Sequence, residues 1–60
     1  MKVKIVETTD GKFIGNEVET DLNTLSLPNG DIMQITGKLD LGNGEHRIWN
    51  SNYIIKIKEI

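Results

Sequence analysis

The chain has 60 residues, 22 of them apolar, and nine acidic residues against seven basic ones give a formal charge of −2. This length suits a single domain spanning 1–60, and the acidic balance disfavours nonspecific binding to DNA. The absence of cysteine excludes a disulfide framework and a thiolate zinc site. No apolar run approaches the roughly 20 residues that span a bilayer, so we expect no membrane partner.

The N-terminal stretch from Met1 to Val6 is too short and too charged for a signal peptide. Together with the lack of cysteine, this predicts a cytoplasmic protein. Isoleucine, lysine and asparagine make up 21 of the residues, a usage common in AT-rich genomes of low-GC bacteria and their phages. This amino-acid usage favours the interpretation that the protein is an accessory protein of a phage or mobile element.

The composition favours strands over helices. Isoleucine occurs nine times, alanine is absent, and Ile, Val and Thr together supply 17 residues. Branched side chains pack well on a pleated sheet, and the apolar residues recur at period two between turn dipeptides. The sequence therefore predicts an all-β fold, either a small antiparallel barrel or a two-layer sheet of about five to seven short strands. This is the size class of SH3-like and OB-like domains.

A first hairpin is predicted at Asp10-Gly11, because both residues tolerate positive φ. A two-residue turn there would place Thr8 opposite Phe13 and leave Gly15 at a bulge or a site of close packing. The same register pairs opposite charges and apolar residues across the two strands: Lys2 with Glu19, Val3 with Val18 and Lys4 with Glu17.

The middle of the chain carries a second turn. Thr20 to Thr24 allows either one helical turn or a short loop. Pro28 to Asp31 predicts a tight reversal, because proline fixes its own φ and Asn-Gly permits the turn. Ile32 to Leu41 is then predicted as one long strand that bends at Gly37 and passes from one layer to the other.

Asn43-Gly44 is the strongest turn signal in the chain. The register that we favour puts apolar residues on one face and a salt bridge on the other: Leu41 with His46, Leu39 with Ile48, Asp40 with Arg47 and Lys38 with Trp49. A three-residue loop would instead place Leu39 opposite Arg47, which matches fewer apolar pairs. The last strand, Tyr53 to Glu59, puts Tyr53, Ile55 and Ile57 on one side and Lys56 and Lys58 on the other.

Few groups are available for catalysis or metal binding. His46 is the only histidine, and nothing in the sequence fixes the acid and oxyanion hole that a Ser–His pair requires. Asp40 to Glu45 departs from the spacing of a calcium loop, and Gly42-Asn43-Gly44 lacks the third glycine of a dinucleotide fingerprint. We therefore expect no enzyme, no cofactor and no metal site.

The segment between Glu45 and Lys58 is the best candidate for a binding surface. Trp, Tyr and Arg are enriched at binding hot spots, an aromatic ring stacks on a base, and cations hold phosphate. The alternative is that Trp49 and Tyr53 cap the core. The predicted ligand-binding residues are Arg47, Trp49, Asn50, Asn52, Tyr53 and Lys56.

These features predict a non-catalytic binding module that self-associates, because small unstapled cores commonly gain stability by association. Its partner would be a small anionic ligand such as a nucleotide, which it would sequester, or a host protein that it would block. The alternative is a nucleic-acid-binding barrel with a lysine-lined face, formed by Lys2, Lys4, Lys56 and Lys58. That alternative requires Glu17 and Glu19 to leave the face uncovered, and lysines on edge strands otherwise serve to prevent aggregation.

Overall fold

The computed structural model describes all 60 residues and contains seven β-strands and no helix. The strands are β1 (Lys2–Thr8), β2 (Glu17–Glu19), β3 (Thr24–Ser26), β4 (Ile32–Gln34), β5 (Gly37–Gly42), β6 (Glu45–Trp49) and β7 (Ile54–Glu59). The predicted all-β class and the predicted hairpins are confirmed.

The strands form two antiparallel sheets. Five of them make one sheet in the order β2-β1-β7-β6-β5, and β3 and β4 make a two-stranded sheet. β2 and β5 are the edges of the larger sheet, so its hydrogen-bonded pairing does not close into a ring. The two-layer alternative from the sequence describes this arrangement.

The two sheets enclose a small apolar core. Period-two alternation on the strands puts every second side chain on one face, as in β7, where Ile55 and Ile57 are buried and Ile54 is exposed. We call the face of the large sheet that packs on β3 and β4 the inner face and the opposite one the outer face. The core consists of Val3, Ile5, Val18, Leu25, Leu27, Met33, Ile48, Ile55 and Ile57.

The register of the β1–β2 hairpin is confirmed, with Lys2 opposite Glu19, Val3 opposite Val18 and Lys4 opposite Glu17. The predicted two-residue turn is wrong, because β1 ends at Thr8 and β2 begins only at Glu17. Two contacts explain the wider loop. The Asp10 carboxylate accepts the N–H of Lys12 at 3.0 Å. The Thr9 hydroxyl accepts the N–H of Ile54 at 2.7 Å and donates to the carbonyl of Ile54 at 3.1 Å, which holds the end of β1 on β7.

The reversal at Pro28 to Asp31 is confirmed, and it joins β3 to β4 with Leu25 opposite Met33. Of the two alternatives for Thr20 to Thr24, the loop is observed: no helical turn forms, and Leu22 has a φ of 68°. The segment from Ile32 to Leu41 does pass from one layer to the other, since β4 and β5 belong to different sheets. Its break lies at Ile35 and Thr36, just before Gly37.

The favoured register of the β5–β6 hairpin is wrong beyond the turn. Gly42 pairs with Glu45 across Asn43-Gly44 as predicted, but the register then shifts, and Leu39 lies opposite Arg47. The cause is a bulge at Leu41: Gly42 adopts a φ of 82°, and its N–H donates to the Asp40 carboxylate at 2.8 Å. The shifted pairs are Gly37 with Trp49, Lys38 with Ile48, and Asp40 with His46. The predicted Asp40–Arg47 and Lys38–Trp49 contacts are therefore not formed, and Leu39 faces away from Ile48.

Candidate functional site

Trp49 lies on the outer face, where it shields the backbone of β5. It pairs with Gly37 on one side and with Ile54 on the other. The indole lies so close over Gly37 that a Cβ atom there would overlap Cε2 and Nε1 of the ring. An aromatic ring over a cross-strand glycine is a recurrent stabilising pair in sheets. Trp49 is therefore a fixed part of the outer face and not a cap on the core.

Two other large apolar side chains are exposed near Trp49 on the outer face. Leu39 is 54% exposed and Ile54 is 55% exposed. Leu39 lies opposite Arg47, and Arg47 lies opposite Lys56 on β7. We call this set the outer-face patch, and it consists of Leu39, Arg47, Trp49, Ile54 and Lys56.

The two cations of the outer-face patch differ in their surroundings. The Lys56 ammonium lies 4.0 Å from Glu7 and 3.8 Å from Glu45, so two carboxylates share its charge. Arg47 is exposed and makes neither a salt bridge nor a side-chain hydrogen bond. Because an unpaired guanidinium keeps all its donors available, Arg47 is the cation of this patch best placed to receive an anion.

A shallow depression of about 340 Å³ opens beside Arg47 on the outer face. It lies where the end of β1 meets β7 and β6, and Thr9, whose hydroxyl joins the end of β1 to β7, forms part of its wall. Its size is at the lower end of the range for small-molecule sites, about 300–1,000 Å³. The lining residues are Glu7, Thr8, Thr9, Arg47, Ile54 and Lys56.

Half of the predicted site residues lie elsewhere. Asn50 is structural: its side-chain oxygen accepts the N–H groups of Asn52 and Tyr53 at 2.8 and 2.9 Å, and its amide donates to the carbonyl of Gln34 at 3.0 Å. Asn52 is exposed in that turn, and Tyr53 packs against the core. Arg47, Trp49 and Lys56 belong to the outer-face patch, whereas Asn50 and Asn52 lie in the turn between β6 and β7 and Tyr53 packs against the core.

The lysines of β1 and β7 share the outer face, because these strands are neighbours and Lys4 lies directly opposite Lys58. Glutamates interrupt the positive row at both ends. Glu17 lies opposite Lys4 on β2, and Glu45 lies opposite Lys58 on β6. The outer face is thus a checkerboard of charges and not a uniformly basic surface.

His46 lies at one end of the inner face. Its Nε2 atom is 2.6 Å from Oε2 of Glu59, and its side chain is 13% exposed. That contact is its only side-chain hydrogen bond, so no hydroxyl is poised beside the imidazole. No cluster of three or more His, Asp or Glu side chains is arranged to hold a metal ion. No segment of the structure is a helix that could span a bilayer.

Sequence reasoning missed Leu39, Ile54 and the threonines of the depression. Ile54 can be inferred from the sequence, because Ile55 and Ile57 are predicted on one side of the last strand and alternation puts Ile54 on the other side with the lysines. Leu39 was missed because of the bulge at Leu41. Thr8 and Thr9 reach the site only through the pairing of the first strand with the last, and no local signal specifies that pairing.

No family model, curated protein or solved structure matches this chain. The fold and the outer-face patch by themselves define a small all-β protein of two antiparallel sheets with an exposed apolar and cationic surface.

Proposed function

We propose that this protein is a non-catalytic binding module that holds a small anionic ligand of the nucleotide class on its outer face. The observation that carries the proposal is an exposed, unpaired Arg47 at a depression of about 340 Å³, next to Lys56. A phosphate group would bind the guanidinium in a bidentate manner. A planar base would lie against Ile54 and the neighbouring edge of Trp49.

We assign no catalytic role to the protein because its histidine and the glutamates beside Lys56 are held in ion pairs. His46 is held by Glu59 on the inner face, away from the depression. Glu7 and Glu45 both lie beside Lys56, so their charges are engaged in ion pairing. Sequestering a ligand requires only a complementary surface, and the outer-face patch supplies one.

Calorimetric titration with linear and cyclic mononucleotides tests the proposal. We expect wild-type protein to give heat, and Arg47→Ala to weaken binding at least about tenfold, because a hydrogen bond to a charged group contributes about 1.5–3 kcal/mol. Lys58→Ala is the matched control, since it removes a cation from the same face outside the depression. We expect it to change the affinity little.

The contrary outcomes are distinct. An unchanged affinity in Arg47→Ala would contradict this site. No heat with any nucleotide or with inorganic phosphate would overturn the nucleotide proposal and leave blocking of a host protein as the remaining form of the binding module.

The second candidate is binding of single-stranded nucleic acid. It is favoured by one observation, the placement of Lys2, Lys4, Lys56 and Lys58 on the same sheet face. Phosphate contacts release counterions, so the affinity for an oligonucleotide would fall steeply with salt. Weak or salt-insensitive binding in the same calorimeter would contradict it, and the interleaved glutamates favour that result.

A further inference from the structure

The two edges of the large sheet differ in how well they are protected. β2 is an edge of three residues, two of them glutamate. β5 is an edge of six residues that contacts no strand other than β6, and apart from Gly37 all its residues are exposed. A long open edge presents unpaired N–H and C=O groups that can pair with another strand.

The charged side chains of β5 are placed so that the strand is complementary to an antiparallel copy of itself. Leu39 projects from the outer face, whereas Lys38 and Asp40, which flank it, project from the inner face. When two copies of such a strand pair antiparallel about a two-fold axis at Leu39, each Lys38 lies directly opposite an Asp40. The strand is therefore complementary in charge to itself.

We propose that the protein forms a symmetric dimer by pairing β5 with β5 of a second copy, with the two-fold axis at Leu39. On the inner face, Lys38 faces Asp40 of the partner subunit, and Asp40 faces Lys38 of the partner subunit. On the outer face, the two Leu39 side chains meet. The two five-stranded sheets become one continuous ten-stranded sheet, and this assembly does not depend on the proposed ligand.

The charges also exclude the neighbouring registers. Symmetry about an axis normal to the sheet keeps like faces together, so the register can slip only by two residues. A slip in one direction places Lys38 opposite Lys38, and a slip in the other places Asp40 opposite Asp40. Like charges directly opposite each other destabilise a strand pair. The bulge at Leu41 ends regular pairing just beyond the central residues.

Sedimentation velocity of matched variants tests the dimer. We expect wild-type protein at about 100 µM to sediment as a dimer that dissociates on dilution. Leu39→Glu places two carboxylates at the axis and should raise the dissociation constant at least tenfold. Ile54→Glu is the matched control, because Ile54 is 55% exposed against 54% for Leu39 and lies away from the axis. It should leave the dimer intact.

Charge reversal on the inner face provides the second test. Lys38→Asp makes this edge acidic and Asp40→Lys makes it basic, so each variant alone should be monomeric. An equimolar mixture of the two should form a heterodimer, because every facing pair is then of opposite charge. Circular dichroism checks that each variant is folded, since Asp40→Lys also removes the contact with the Gly42 N–H and Lys38→Asp removes the hydrogen bond to the Leu22 carbonyl.

Three results would overturn the proposal. Wild-type protein could sediment as a monomer, Leu39→Glu could dimerise as well as Ile54→Glu, or the folded charge variants could fail to associate when mixed. Arg47 and Lys56 are unchanged in all of these variants, and sedimentation is measured without nucleotide, so failure of the dimer and failure of the nucleotide site are distinguishable.

Discussion

Trp49 and Gly37 form a pair whose members depend on each other. The ring occupies the space in which any side chain at position 37 would lie. The indole in return covers the backbone of a residue that has no side chain of its own. The aromatic residue of the predicted site thus has a structural reason to be where it is, whatever it binds.

We predict that Gly37→Ala destabilises the protein by about 1–3 kcal/mol, because the added methyl forces the indole out of its position. Urea unfolding followed by circular dichroism measures the loss of stability, and Trp49 fluorescence of the Gly37→Ala variant reports the altered environment of the ring. In a Trp49→Ala background, the same substitution should change stability by less than about 0.5 kcal/mol. Equal costs in both backgrounds would show that the ring is not the cause.

Asp21 organises the loop between β2 and β3. Its carboxylate accepts the N–H of Thr24 at 2.7 Å and that of Asn23 at 2.8 Å. These bonds to Thr24 and Asn23 lower the pKa of Asp21 from its ordinary value of 3.8, against the opposing effect of desolvation. A carboxyl group whose pKa is lower in the folded state stabilises that state above its unfolded pKa. This contribution is lost as the pH falls from about 4 through the folded pKa.

We predict that Asp21→Asn lowers stability at neutral pH and flattens the stability profile below about pH 4, because the charged acceptor is gone. Thermal unfolding between neutral and strongly acidic pH measures this profile. Asp31→Asn is the control, since the Asp31 carboxylate accepts only a side-chain hydrogen bond from Asn29. Identical acid profiles for the two variants would contradict the role given to Asp21.

At the scale of the strand, β7 separates core from surface within two consecutive residues of the same type. Ile55 is 2% exposed, whereas Ile54 is 55% exposed. We predict that Ile55→Val costs about 0.5–1.5 kcal/mol and that Ile54→Val costs less than about 0.5 kcal/mol. Chemical denaturation of the two variants gives the difference directly. Equal losses would mean that the strand is not packed on one side.

The elements were predictable where the information is local. The reversal at Pro28 to Asp31, the Asn43-Gly44 turn, the β1–β2 register and the inward face of β7 all follow from adjacent residues and their alternation, whereas the Asp10-Gly11 turn does not form as predicted. The β5–β6 register did not follow, because the bulge depends on the Asp40 side chain taking the N–H of Gly42, and apolar matching alone favoured the regular ladder. Asp followed two residues later by glycine is the local signal that could have indicated it.

The candidate site was predictable only in part, for the same reason. Arg47, Trp49 and Lys56 were identified by residue type and are neighbours across β6 and β7. The sequence predicts Asn50 as a binding residue because its side chain is polar, but in the structure this side chain closes the turn that precedes Tyr53. The depression itself depends on the end of β1, and contact between residues about 45 positions apart leaves no mark in a local pattern.

For the whole molecule, a core of nine side chains supports two sheets. A domain of this length buries only about 60% of the surface that its unfolded chain exposes. Large apolar side chains consequently remain outside, among them Leu39 and Ile54. Pairing through β5 would bury part of this exposed apolar surface. The open edge of the sheet would thus add to the small buried surface of a protein of this length.

The position of β7 between β1 and β6 also determines when the protein can fold during its synthesis. Each half of the large sheet lacks its central partner until the last strand is available. The hairpins can form as soon as they leave the ribosome, but the sheet that unites them must wait until β7 has cleared the exit tunnel. The large sheet therefore assembles only after all seven strands have been synthesised, whichever hairpin forms first.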